Sequence, residues 1–303
     1  MPTTAQRPAR SFDASVIALL VMLCASWGLQ QAGIKLAMPE IPPLTQMAIR
    51  SSGGALLMLA YAFARGVPVF RPDGTILLGL GIGLLFGAEF VLIYLGLSWT
   101  AASRSVVFLY TAPFFVALGA VWLLPGERLR RVQWLGLALS FTGVAVALGV
   151  PVPGASGASI VGDLFCLAGG ALWGATTLMI RATRLRSAPP EKVILYQLVV
   201  SAAMAWTAAA LLGEEITGPV SLEAIGWLAY QTVWVAFVTF VFWFRLVSRH
   251  PAGPLQAATA MTPLFGVAFG VVLLGEPLTW SLGLAAGLVV LGLMFVNARV
   301  RRG

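Results

Sequence analysis

The chain has 303 residues, of which 59% are hydrophobic and only 10% charged; soluble domains carry about 25% charged and 45–50% apolar residues. A water-soluble fold cannot cover its surface with so few charges. The net charge of +8 therefore does not by itself indicate a nucleic-acid partner.

A basic tail, residues 1–13, precedes the first long apolar run. Helices of about 20 apolar residues cross a bilayer core of roughly 30 Å. Pro, Gly and charge clusters then mark helix ends and predict ten spans, at 14–36, 43–64, 75–98, 103–124, 132–150, 161–182, 192–212, 223–247, 253–274 and 279–298. Runs this long exclude the alternating ten-residue strands of a membrane barrel. Span 1 lacks a small-residue cleavage site, so it is expected to be retained rather than removed as a signal peptide.

Span 1 carries "SWGLQQAGIK" (26–35). Trp27, Gln30, Gln31 and Lys35 share one helical side through i+3 and i+4 spacing. Gly28 and Gly33 imitate a phosphate loop, but Ile34 separates Gly33 from Lys35 and Leu36 stands where Ser or Thr belongs. A nucleotide site is rejected. Span 2 contains Arg50, and span 3 contains Gly79, Gly83 and Gly87 at four-residue spacing, a close-packing face. Glu89 lies near the centre of span 3, where an ionisable group is a functional candidate. Arg50, about 9 Å below the outer end of span 2, and Glu89, about 21 Å above the inner end of span 3, come to similar depth and are placed to pair.

Span 4 carries Pro113, which removes a backbone donor and permits either a hinge or a static bend. Glu127 follows it. Span 6 repeats the opening: "LWGATTLMIR" (172–181) sets Trp173, Thr176, Thr177 and Arg181 on one side. The Trp27/Trp173 and Lys35/Arg181 offsets are both 146. Such polar stripes line a watery cavity or hydrogen-bond helix to helix. Lys35 and Arg181, at span ends, are expected to snorkel to the interface. On span 8, Gln231 and Trp234 supply a further aromatic and polar wall. Span 9 places Pro263 in "TPLF", and Glu276 follows; each Glu is expected to favour the N-terminus of the next helix, spans 5 and 10 respectively.

Charge is strongly one-sided. With the N-terminus inside, sixteen Lys and Arg fall in cytoplasmic segments, while only Lys35 and Arg104 face the other side and Arg50 lies within a span. The positive-inside rule then predicts both termini cytoplasmic. Ten spans divide into two sets of five, and an odd number inverts the second set. The expected organisation is a tail (1–13), a first repeat (14–150), a linker (151–160), a second repeat (161–298) and a tail (299–303). Inverted repeats mark secondary carriers with a midplane site between the halves.

"SWG…K", the prolines of "YTAPFF" and "TPLF", and the "GERL"/"GEPL" corners resemble the drug/metabolite transporter superfamily, specifically its EamA-type ten-helix carriers and, within them, YddG-like amino-acid exporters. The resemblance implies an all-α integral membrane fold, a 5+5 inverted repeat around a central cavity, and alternating access. It also implies export of small amphiphilic metabolites, amino acids including aromatic ones, across the plasma membrane. Passive conduction, or carriage of other metabolites or drugs, is the alternative. No cofactor and no metal site is expected. The partners are a small-molecule substrate and the lipid bilayer, with neither nucleic acid nor nucleotide. The lone His250 and the two separate cysteines, Cys24 and Cys166, compose no catalytic or metal set.

Overall fold

The computed structural model describes residues 13–124, 129–149, 157–250, 255 and 258–297. Every element among them is helical. Span 1 is Ala14–Ala37, span 2 Pro43–Ala64, span 3 Ile76–Trp99, span 5 Arg131–Gly149, span 6 Gly157–Ala182, span 7 Pro190–Leu211 and span 10 Trp280–Asn297. Each meets the predicted range within four residues. Span 1 starts where the Asp13 carboxylate accepts the Val16 N–H at 2.9 Å, filling an orphan donor of the first turn. Spans 2 and 7 begin on Pro43 and Pro190, where the missing N–H has no partner to lose.

Three spans are not uniform α-helices. Span 4 breaks into Ala102–Leu109 and Ala112–Leu123 across Tyr110 and Thr111, with Pro113 in the first turn of the second piece. Span 9 does the same: a 3-10 turn, Thr259–Met261, precedes the helix Thr262–Leu274, again with Pro263 in its first turn. The prolines thus sit after breaks instead of kinking continuous helices, because the first turn is where a ring without N–H fits. Gly275 closes span 9 with φ of 64°, a conformation open to glycine at little cost. Span 8 runs Leu222–Ala229, then widens into a ten-residue π-helix, Tyr230–Thr239, and returns to α over Phe240–Arg249.

The packing follows a pattern. Span 1 lies against spans 8 and 9, and span 6 against spans 3 and 4; spans 2 and 7, 4 and 9, and 5 and 10 pair with one another. Shifting every number by five reproduces these principal contacts. Glycines set the closest approaches. A methyl on Gly83 would meet Val200 Cβ at 2.6 Å, so the stripe of span 3 is the face that seats span 7. Many large apolar side chains face outward, with Leu77, Leu211 and Leu222 78–87% exposed and Trp122, Trp134 and Trp280 near span ends. That distribution suits lipid, with aromatic side chains at headgroup level.

Candidate functional site

Arg50 of span 2 and Glu89 of span 3 lie in the interior of the bundle. Both are buried, at 1% and 4% exposure. They do not form the expected pair: the Arg50 guanidinium lies over the Phe90 ring, 4.3 Å from its centroid, and its Nε and Nη1 have no hydrogen-bond acceptor. Glu89 Oε2 likewise has no donor. The depth estimate brought the two helices together correctly, but the aromatic side chain next to Glu89 occupies the face of the cation. Phe90 in turn contacts Phe86 and Tyr94 at centroid distances of 4.6 and 6.4 Å. Below Arg50, Phe86, Phe90, Tyr61, Phe237 and Met58 form one apolar cluster between spans 2, 3, 7 and 8. The two groups attract one another without touching, and polar atoms left without partners at this depth make the pair a functional candidate.

Gln30 and Gln31 are buried, and Gln31 Oε1 has no partner. Trp27 donates from Nε1 to Thr239 Oγ1 at 3.0 Å and meets Trp243 edge-to-face at 5.5 Å. On span 6, Trp173 meets Tyr110 edge-to-face at 5.4 Å. Thr176 and Thr177 donate back to the carbonyls of Leu172 and Trp173 in their own helix, a local alternative to facing a guest. The two stripes are therefore alike in sequence and different in hydrogen bonding. What they share is the glycine beside each tryptophan. A Cβ on Gly28 would meet Gly266 N at 2.7 Å, and one on Gly174 would meet Phe115 Cβ at 2.7 Å. Each glycine admits the helix just beyond a proline break in the other half of the chain.

The π-helix builds the wall around Gln231 and Trp234. Tyr94 O–H donates to Gln231 Oε1 at 2.6 Å, Gln231 Nε2 donates to Gln46 Oε1 at 3.0 Å, and Gln46 Nε2 donates to the Ile41 carbonyl at 2.8 Å. Trp234 Nε1 donates to Ser26 Oγ at 2.9 Å, and Tyr230 O–H to the Ser26 carbonyl at 2.8 Å. Gln231 is thus the centre of a chain joining spans 2, 3 and 8. π-helical turns often accompany functional sites. Here the wider turn carries the residues that tie span 8 to spans 1, 2 and 3.

The expected snorkelling of Lys35 does not occur. Its Nζ turns inward to the Thr100 carbonyl at 2.6 Å, an acceptor left open where span 3 ends. Arg181 is exposed and lines a small cleft with Pro113 and Gln133. Glu276 does not cap span 10. Its two carboxylate oxygens accept the N–H groups of Ala102 at 2.6 Å and Ser103 at 2.9 Å, capping span 4 in the opposite half, while Thr279 accepts the Leu282 N–H. Glu127 lies outside the described residues. Arg104, counted above among solvent-side charges, is buried in a bidentate bond to Asp163, which also accepts the Thr100 hydroxyl. Asp163, Gln46, Phe90 and Tyr110 were not singled out from the sequence. Asp163, the single acid of span 6, carried the one available signal.

At the ends of the spans, Lys192 donates to Asp73 Oδ2 at 2.8 Å and holds that carboxyl down to about 2. Glu40 accepts the Ser221 N–H and hydroxyl, which keep it below the usual carboxylate range. Among the described residues no three His, Cys, Asp or Glu side chains are grouped to hold a metal.

Comparison with known proteins fits this arrangement. The signature of the EamA-like transporter family matches residues 14–149 and again 160–298. The chain belongs to that family. Similar proteins match nearly its whole length. A Salmonella typhimurium protein named "Probable amino-acid metabolite efflux pump" is 27% identical over 94% of this chain and 96% of its own. Its Escherichia coli K12 namesake is 26% identical over 93% of each chain. "Uncharacterized inner membrane transporter YedA" of the same strain is 25% identical, over 92% and 89%. A solved crystal structure, 22% identical, superposes with a TM-score of 0.65 over 93% of this chain and 97% of that one. This EamA-like chain is a multi-span membrane transporter and not an enzyme.

Proposed function

We propose that this transporter exports small amphiphilic metabolites, amino acids with aromatic ones among them, by alternating access. The observation that carries the proposal is the buried Arg50 and Glu89, with hydrogen-bonding atoms left unpartnered, beside the Phe86, Phe90 and Tyr94 rings. A zwitterionic amino acid carries one charge of each sign. Its carboxylate suits the free guanidinium edge and its ammonium suits the Glu89 carboxylate, while its side chain meets the aromatic cluster. The names of the Salmonella and E. coli relatives agree with this substrate class. The double family match and the five-shifted packing support a 5+5 inverted repeat. The paired breaks at Pro113 and Pro263 support bending between two states, with Gln30, Gln31, Trp27 and Trp173 nearby and both termini cytoplasmic.

Uptake into proteoliposomes against an amino-acid panel, with and without a proton gradient, tests it. Saturable flux with counter-transport is expected; flux that neither saturates nor exchanges identifies a pore. Glu89→Gln keeps the volume and removes the charge, so transport should be abolished in protein that is folded and inserted. Normal transport by Glu89→Gln across pH 5–8 overturns the assignment.

A further inference from the structure

A cleft of about 700 Å³ opens where span 3 begins, walled by Asp73, Thr75 and Leu78 on one side and by residues 182–184 and 186–189 on the other. It lies at the end of the bundle that also carries Arg65, Arg71, Arg245 and Arg249, far from Arg50 and Glu89 along the helices. Its back wall is a 3-10 turn, Arg184–Ser187, pinned by Leu185, which is 1% exposed among Ile82, Val193 and Tyr196. Pinning Leu185 presents Arg184 and Arg186 on either side of it, both lining the cleft. Neither makes an ion pair among the described residues. The one carboxylate in the lining, Asp73, is already engaged by Lys192 Nζ and by the Thr75 hydroxyl. The local balance is therefore two unopposed guanidinium groups, with the Ser187 hydroxyl beside them.

Leu78, Ala182 and Ala188 make the floor apolar. Ile76 and Leu77, 64% and 78% exposed, face outward on the same turn of span 3, round the helix from the cleft. A cationic hollow with an apolar floor, at the end of three apolar spans, fits a molecule with an anionic head and acyl tails. We infer that this cleft is a binding site for an anionic phospholipid, its phosphodiester held by Arg184 and Arg186 and its apolar part against Leu78, Ala182 and Ala188. Guanidinium groups match phosphate oxygens in a planar fork, and basic pockets between spans at the cytoplasmic end recognise such headgroups. The same phosphate chemistry occurs in a free anion, but the apolar floor of Leu78, Ala182 and Ala188 favours the lipid.

The full-length protein, purified in mild detergent and delipidated, is titrated with phosphatidylglycerol or phosphatidylcholine of matched chains, and bound lipid is counted by native mass spectrometry. A surface base contributes about fivefold to anionic lipid binding, so two give roughly 30-fold preference for phosphatidylglycerol. The Arg184→Gln/Arg186→Gln variant should lose that preference. The charge-matched Arg65→Gln/Arg249→Gln variant, altered outside the cleft, should keep it. Equal loss in both variants means diffuse surface attraction and overturns the site. Displacement of bound phosphatidylglycerol by millimolar inorganic phosphate, with equal retention of the two lipids, makes it a soluble-anion pocket and overturns the lipid assignment. None of these outcomes depends on what the protein transports.

Discussion

The buried bridge between Arg104 of span 4 and Asp163 of span 6 offers a sharp test of what fastens the two halves. Both side chains are removed from solvent, Asp163 completely, and the carboxylate accepts both the guanidinium fork and the Thr100 hydroxyl. Asp163→Leu strands a buried guanidinium, and Arg104→Met strands a buried carboxylate. Losing one partner of such a pair costs about 3–5 kcal/mol. Removing both leaves no uncompensated charge; what remains is the Thr100 hydroxyl without its acceptor, about 1 kcal/mol. The Arg104→Met/Asp163→Leu double variant should therefore be more stable than either single variant. Unfolding midpoints in detergent micelles, measured for wild type, both singles and the double, give the coupling directly. If the double variant loses the sum of the two singles, the bridge is not a coupled unit and the reasoning fails.

Four further outcomes are expected. Glu276→Gln weakens both N–H bonds at the start of span 4 and should cost about 1 kcal/mol, read as a lower melting midpoint; an unchanged midpoint shows that the cap contributes nothing. Pro113→Ala with Pro263→Ala restores backbone donors at the two breaks, so expression should survive while the transport rate falls; full rate in the double variant reduces the breaks to static features. Asp73 has a depressed folded-state value, so its stabilising contribution is present above about pH 4 and is lost as pH falls towards about 2; in acid titrations the deficit of Asp73→Asn relative to wild type should shrink over that window. A cysteine at Thr217 should label from outside and one at Ser187 only after permeabilisation, whereas external labelling of Ser187 reverses the orientation.

The spans were legible because a bilayer demands long apolar runs, and those runs end on visible punctuation. Span 2 was placed at 43–64 and is found there. Partners were harder to read, because they are set by packing between residues far apart in sequence. Glu276 lies just ahead of span 10, yet it caps a helix that begins 174 positions earlier. Arg50 and Glu89 were correctly brought to one depth, but depth alone does not reveal which ring lies between two helices. The polar stripes repeat in spans 1 and 6, while the side chains opposite them do not. Thr176 and Thr177 therefore bond within their own helix, and Gln31 is left open.

Gly28 and Gly174 have a consequence for how the molecule holds together. Each half lends the other a helix: span 1 is seated on span 9, and span 6 on span 4. Neither half closes a surface of its own. The arrangement is that of an obligate dimer with exchanged arms, strung into one polypeptide, so that the contact which elsewhere would depend on protein concentration is here permanent.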